Sequence, residues 1–148
     1  MKKQYAIIML LLVFSWLLPT LLWAASLDAT GVWRTVNAKG QARSLVRIQS
    51  VGGVLHGRVI QILPGSGRGP DAVCDQCRGA LHNKRIMGMT VLWGLKPSGD
   101  GWTGGSILDT ETGNIYRCDV KVSSNGRVLD VRVTRGILWR TLHWVKIK

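Results

Sequence analysis

The sequence predicts an all-β fold: about eight antiparallel strands closed into an up-and-down barrel, behind an N-terminal export signal. Three observations carry this expectation. Apolar residues recur with a period of two along the chain after the leader. Gly-rich turns separate these runs at short intervals. No stretch after the leader shows helical periodicity.

The leader reads MKKQYAIIMLLLVFSWLLPTLLWAA. Lys2 and Lys3 make a basic start, no charge follows until Asp28, and small residues stand at Ala24, Ala25 and Ser26. This is the layout of a secretory signal peptide cut within 24–26. An uncleaved anchor is the competing reading, since about 20 apolar residues span a bilayer. Ser15 and Pro19 interrupt the run and favour cleavage. The expected division is therefore a signal peptide at 1–25 and one barrel domain at 26–148, periplasmic or secreted. The remaining length suits one ordinary domain with a true core.

GVWRTV (31–36), SLVRIQS (44–50) and VLHGRVIQIL (54–63) read as strands divided by turns at Gly40 and Gly52-Gly53. IMGMTVLWGL (86–95) places Met87, Met89, Val91, Trp93 and Leu95 on one face of a strand. WTGGSILD (102–109) follows the turn KPSGDG. In GNIYRCDVKV, Tyr116, Cys118, Val120 and Val122 alternate with Arg117, Asp119 and Lys121. Leu129, Val131 and Val133 alternate in the same way, and Asn125-Gly126 between the two runs marks a tight hairpin. ILWRTLHWVKI (137–147) closes the chain. Sequential antiparallel strands leave two exposed edges unless first pairs with last, and closure removes both. A two-sheet sandwich is the alternative.

One connection is long, PGSGRGPDAVCDQCRGALHNK (64–84), and it carries Cys74 and Cys77; Cys118 stands far along the chain. A redox Cys-x-x-C needs a helix N-terminus to stabilise its thiolate, and none is predicted. Zinc would need four ligands, for which Cys74, Cys77, Cys118 and His82 are the available set. An exported chain favours disulfides over thiolates. A Cys74–Cys77 bridge closes a tiny loop, worth about 2 kcal/mol by chain entropy; a bridge to Cys118 closes some 40 residues, worth about 4 kcal/mol. The longer bridge, from either partner, is the expected staple, and it would leave one thiol over.

Without Lys2 and Lys3 the 20 Lys and Arg fall to 18 against eight acids, a formal charge of +10. The basic residues are dispersed, only Lys84–Arg85 being adjacent, which suits a solvated exterior better than a nucleic-acid stripe. There are three histidines and a single Glu, Glu111. No nucleophile elbow, zinc-protease helix or phosphate-cradling loop is present, and GSGRG (65–69) lacks the Lys-Ser/Thr that a P-loop needs. Asp109 and Glu111 could meet a cation, but turn carboxylates are usually solvated. No enzyme, cofactor or metal is expected.

GVWRT (31–35), SLVRI (44–48), VLHGRVIQILPG (54–65), CDQCRG (74–79), IMGMTVLWGLK (86–96), GGSILDTETGNIYRC (104–118) and RTLHW (140–144) occur together and in order. They resemble the exported bacterial family catalogued as domain of unknown function 2147, from about Gly31 to the C-terminus. The resemblance implies a lipocalin-like barrel and brings no catalytic residues. This chain departs at Thr110, where the family usually has Pro, and at Trp139, where it usually has Gly. Gly31-Val32-Trp33 also resembles the first-strand motif of lipocalins, which implies that Trp33 closes one barrel end under a last-strand cation; Arg140 is the candidate.

The function expected is non-enzymatic binding of a small apolar or amphipathic ligand in the barrel, with Met87, Met89, Val91, Trp93 and Tyr116 as candidate wall. The alternative is a basic envelope protein that binds anionic polymers or an acidic partner through its surface. Nucleic acid is not an expected partner, and membrane contact is expected only through the leader.

Overall fold

The computed structural model describes residues 27–148; the expected export signal and cleavage position lie outside the described residues. Eight strands follow in chain order: β1 (Gly31–Val36), β2 (Ala42–Val51), β3 (Val54–Ile62), β4 (Thr90–Ser98), β5 (Gly101–Leu108), β6 (Ile115–Val122), β7 (Val128–Arg135) and β8 (Leu138–Lys146). Each pairs antiparallel with the next, and β8 returns to β1, closing the barrel. The closing seam pairs Trp33 with Lys146 and Arg34 with Val145. Val32 N donates to Lys148 O at 2.8 Å and Ile147 N to Val32 O at 2.8 Å, which extends the seam past the last strand residue.

Alternation places the core. Val46 and Ile48 of β2, Leu129, Val131 and Val133 of β7, and Trp144 of β8 are buried, while Arg47 and Arg132 face solvent. Because every connection joins neighbours, the turns alternate between two ends. One end has the short turns β2–β3, β4–β5 and β6–β7 with the start of β1 and the end of β8; the other has β1–β2, the long β3–β4 loop, β5–β6 and β7–β8.

One local expectation is corrected. The run 86–95 is not one strand: β4 begins at Thr90, and Ile86–Met89 belong to the loop. Within β4 the alternation is broken by irregularities opposite Leu55, Gly57 and Arg58, so Val91 and Leu92 are both buried, Leu95 is fully buried and Trp93 is half-buried. Gly57 permits this packing, since a Cβ there would meet the Leu92 Cβ at 2.9 Å. The Asn125-Gly126 turn places only Gly126 at positive φ (71°); Asn125 acts through its side chain, whose Oδ1 accepts from Arg127 N at 2.9 Å.

The cysteine expectation is also corrected. The disulfide joins Cys74 to Cys77, and Cys118 is a buried free thiol. The pair lies at the loop end of the barrel, with Cys74 Sγ 3.7 Å from the Thr110 carbonyl oxygen, whereas Cys118 faces the core from the middle of β6. Closing a three-residue separation also costs far less chain entropy than a forty-residue one. The bridge consumes two of the three sulfurs that the alternative zinc set would have used.

Candidate functional site

The interior is not filled at the loop end. A cavity of about 380 Å³ opens between the β1–β2 turn, the long loop and the β5–β6 turn. Its lower wall is aliphatic, built by Val46, Val59, Val91, Ile107, Val133 and Leu142 from six different strands. Eight strands enclose an interior just wide enough to be filled by side chains or to hold one small ligand, so wall residues of Val and Ile size leave room. The other end is shut by Trp33, which is fully buried and donates Nε1–H to the Ala29 carbonyl at 2.8 Å.

The rim is polar. Arg43 of β2 forms an ion pair with Glu111 and donates to the Ser66 carbonyl, tying strand, turn and loop together. Asp109 orders the β5–β6 turn: its Oδ1 accepts from Glu111 N at 2.9 Å and its Oδ2 from the Thr112 hydroxyl at 3.0 Å. Both carboxylates considered for a cation thus have protein partners. Arg68 donates to Val73 O at 3.0 Å and lies 3.4 Å from Asp75. The third cavity-lining guanidinium, Arg140, has no hydrogen bond or ion pair among the described residues. Arg140, Leu142 and Trp144 form one face of β8 from rim to interior, as period two requires. Trp144 is 2 % exposed, and its Nε1 is buried without a hydrogen-bond partner. Unpaired buried donors are uncommon and costly.

Of the candidate wall residues, Val91 and Tyr116 line the cavity; Met87, Met89 and Trp93 pack in or against the core and do not. Tyr116 is half-buried and its hydroxyl accepts from Asn114 Nδ2 at 3.3 Å. Trp33 is fully buried at the end away from the cavity, and the cation above its indole is Lys146, with Nζ 5.2 Å from the ring centroid, not the expected Arg140. Lys146 is the register partner of Trp33, whereas Arg140 lies six residues earlier on β8, roughly 20 Å away at about 3.3 Å per residue. Sequence reasoning missed Arg43, Leu142 and Trp144 as cavity residues. The signal for the β8 pair was present in the alternation of LWRTLHW, but nothing in it distinguishes lining a space from filling one.

Cys118, 2 % exposed, has its thiol pKa pushed up to about 12, chiefly by burial and secondarily by the adjacent Asp119 charge. It is an inert core group at neutral pH.

The family model described as "Uncharacterized protein conserved in bacteria (DUF2147)" matches residues 31–146. The chain belongs to this family. No curated protein matches it. Among solved structures it is similar to protein HP1028 from the human pathogen Helicobacter pylori, described as belonging to the lipocalin family. The TM-score is 0.71 at 20 % identity, covering 82 % of this chain and 84 % of that one. That likeness shows the fold: a lipocalin-like barrel.

Proposed function

We infer that this member of the family is a non-enzymatic binding protein that holds one small amphipathic molecule in its barrel, at the cell envelope or outside the cell. The observation that carries the reading is the cavity of about 380 Å³, aliphatic below and polar at the rim. Its size lies at the lower end of the range for small-molecule sites, and its polar residues, about half of the lining, lie mostly in the turns and loop of the rim, where they can orient a ligand. Arg140 offers an anionic end group an unpaired cation at the rim. A ligand with an apolar body and a negative end would satisfy both features. The Cys74–Cys77 disulfide supports the exported location, since oxidising compartments preserve such bridges.

Native mass spectrometry of the protein recovered after export tests the reading. The expected spectrum contains a one-to-one adduct of a small molecule that is lost on denaturation and recovered by solvent extraction. A wholly ligand-free spectrum, with no adduct forming when envelope lipid extract is added, would contradict it.

A further inference from the structure

The β7–β8 hairpin turns through Gly136 and Ile137, with Arg135 paired to Leu138. Its tip exposes three consecutive large apolar side chains: Ile137 at 96 %, Leu138 at 71 % and Trp139 at 61 %. Ile115, 55 % exposed at the start of β6, adjoins this tip, because the β6–β7 register that pairs Arg117 with Thr134 continues to it. Single exposed apolar residues are ordinary on a protein surface, but four at one corner mark an interaction site.

The charges around the corner indicate what it meets. Arg117, Arg132, Arg135 and Arg140 are exposed around the apolar tip, and none forms an ion pair among the described residues. The Arg132 guanidinium lies 4.5 Å from the centroid of the Trp139 ring, holding the indole against the outer barrel face. An apolar point with an indole at its base and a collar of arginines is complementary to a bilayer with anionic headgroups. Aliphatic side chains enter the acyl boundary, Trp sits at headgroup level, and guanidinium groups meet phosphates. The hairpin belongs to the loop end of the barrel, where the cavity opens.

We propose that the β7–β8 tip docks the protein on an anionic lipid surface, inserting Ile137, Leu138 and Trp139 so that the cavity mouth faces the headgroups. Docking does not depend on what the cavity holds. It adds a membrane contact where the sequence suggested only the leader.

The test is flotation of the protein recovered after export, its N-terminus read by mass spectrometry. The vesicles are phosphatidylcholine alone and phosphatidylcholine mixed with phosphatidylglycerol. The wild type should float with the mixed vesicles and bind the neutral ones much more weakly, and salt should weaken its binding. The triple variant Ile137→Ser/Leu138→Ser/Trp139→Ser should lose about 100-fold in vesicle affinity, and Arg135→Gln about five-fold at low salt. The single variant Leu138→Glu should also fail to float while retaining the wild-type circular dichroism. Failure of the wild type to float, or equal flotation of the triple variant, would overturn the proposal. So would a wild-type dimer in sedimentation that the triple variant abolishes and vesicles leave intact, since the tip would then be a contact between two copies.

Discussion

Trp33 donates its indole N–H to Ala29 and lies beneath Lys146, while Arg140, on the same strand as Lys146, stands at the opposite end of the barrel. Both cations were visible in the last predicted strand, but choosing between them required the register of β8 against β1, which side-chain pattern alone does not set. The two positions should therefore respond differently to truncation. Lys146→Ala is expected to cost about 1 kcal/mol of stability through the lost cation–π contact. Arg140→Ala should stay within about 0.5 kcal/mol, as an exposed side chain without partners does. Urea denaturation of both variants measures the difference, and equal losses would reject the assignment. Cys118 makes a second residue-scale prediction. Its folded pKa is raised from 9.0 to about 12, so between those values the folded state holds a proton that the unfolded state has released. The contribution is therefore fully present below pH 9 and is lost as pH rises toward 12. Stability of the wild type should fall more steeply through that window than stability of Cys118→Ala. Iodoacetamide should label the thiol only after unfolding.

At the scale of elements, the strands themselves were legible because each shows period two between glycine turns, as in Leu129–Val131–Val133. Burial departs from strict alternation at Val32–Trp33 of β1, Val91–Leu92 of β4 and Ile107–Leu108 of β5, each a consecutive buried pair. In β4 irregular pairing with β3 accompanies it, and such bulges follow from the fit between neighbouring strands, not from either strand's composition. The long loop is held by contacts that no motif announced. Cys74 N donates to Lys84 O at 2.8 Å, Ile86 N donates to Ala72 O at 2.9 Å, and Val73 bridges Arg85. The loop lies so close to the β5–β6 turn that a Cβ on Gly113 would stand 1.8 Å from the Gln76 carbonyl oxygen, at a positive φ of 72°. Gly113→Ala should therefore cost at least about 2 kcal/mol and raise hydrogen exchange across residues 74–86. Gly65→Ala, also at positive φ but with open space around it, should cost only about 1 kcal/mol. A Gly113→Ala penalty no larger than that of Gly65→Ala would show that the loop is not seated against the turn.

For the whole molecule, closure was legible from the strand count and the cost of leaving sheet edges open. The cavity was not. Whether eight strands enclose a filled core or a hollow one depends on the summed volumes of inward side chains, and on bulges that redirect them. Thus the Met-rich run 86–95 looked like the wall, while the aliphatic positions Val46, Val59, Val91, Ile107, Val133 and Leu142 are the wall. The function proposed for this space, with Arg140 at its rim, is to bind an amphipathic molecule. Titration with anilinonaphthalene sulfonate, an anionic apolar dye, tests it most directly when wild type, Leu142→Trp and Arg140→Ala are compared. Saturable one-to-one binding by the wild type is expected, abolished when the indole of Leu142→Trp fills the space and weakened several-fold in Arg140→Ala. Absence of saturable binding by the wild type, or undiminished binding by a folded Leu142→Trp variant, would contradict it.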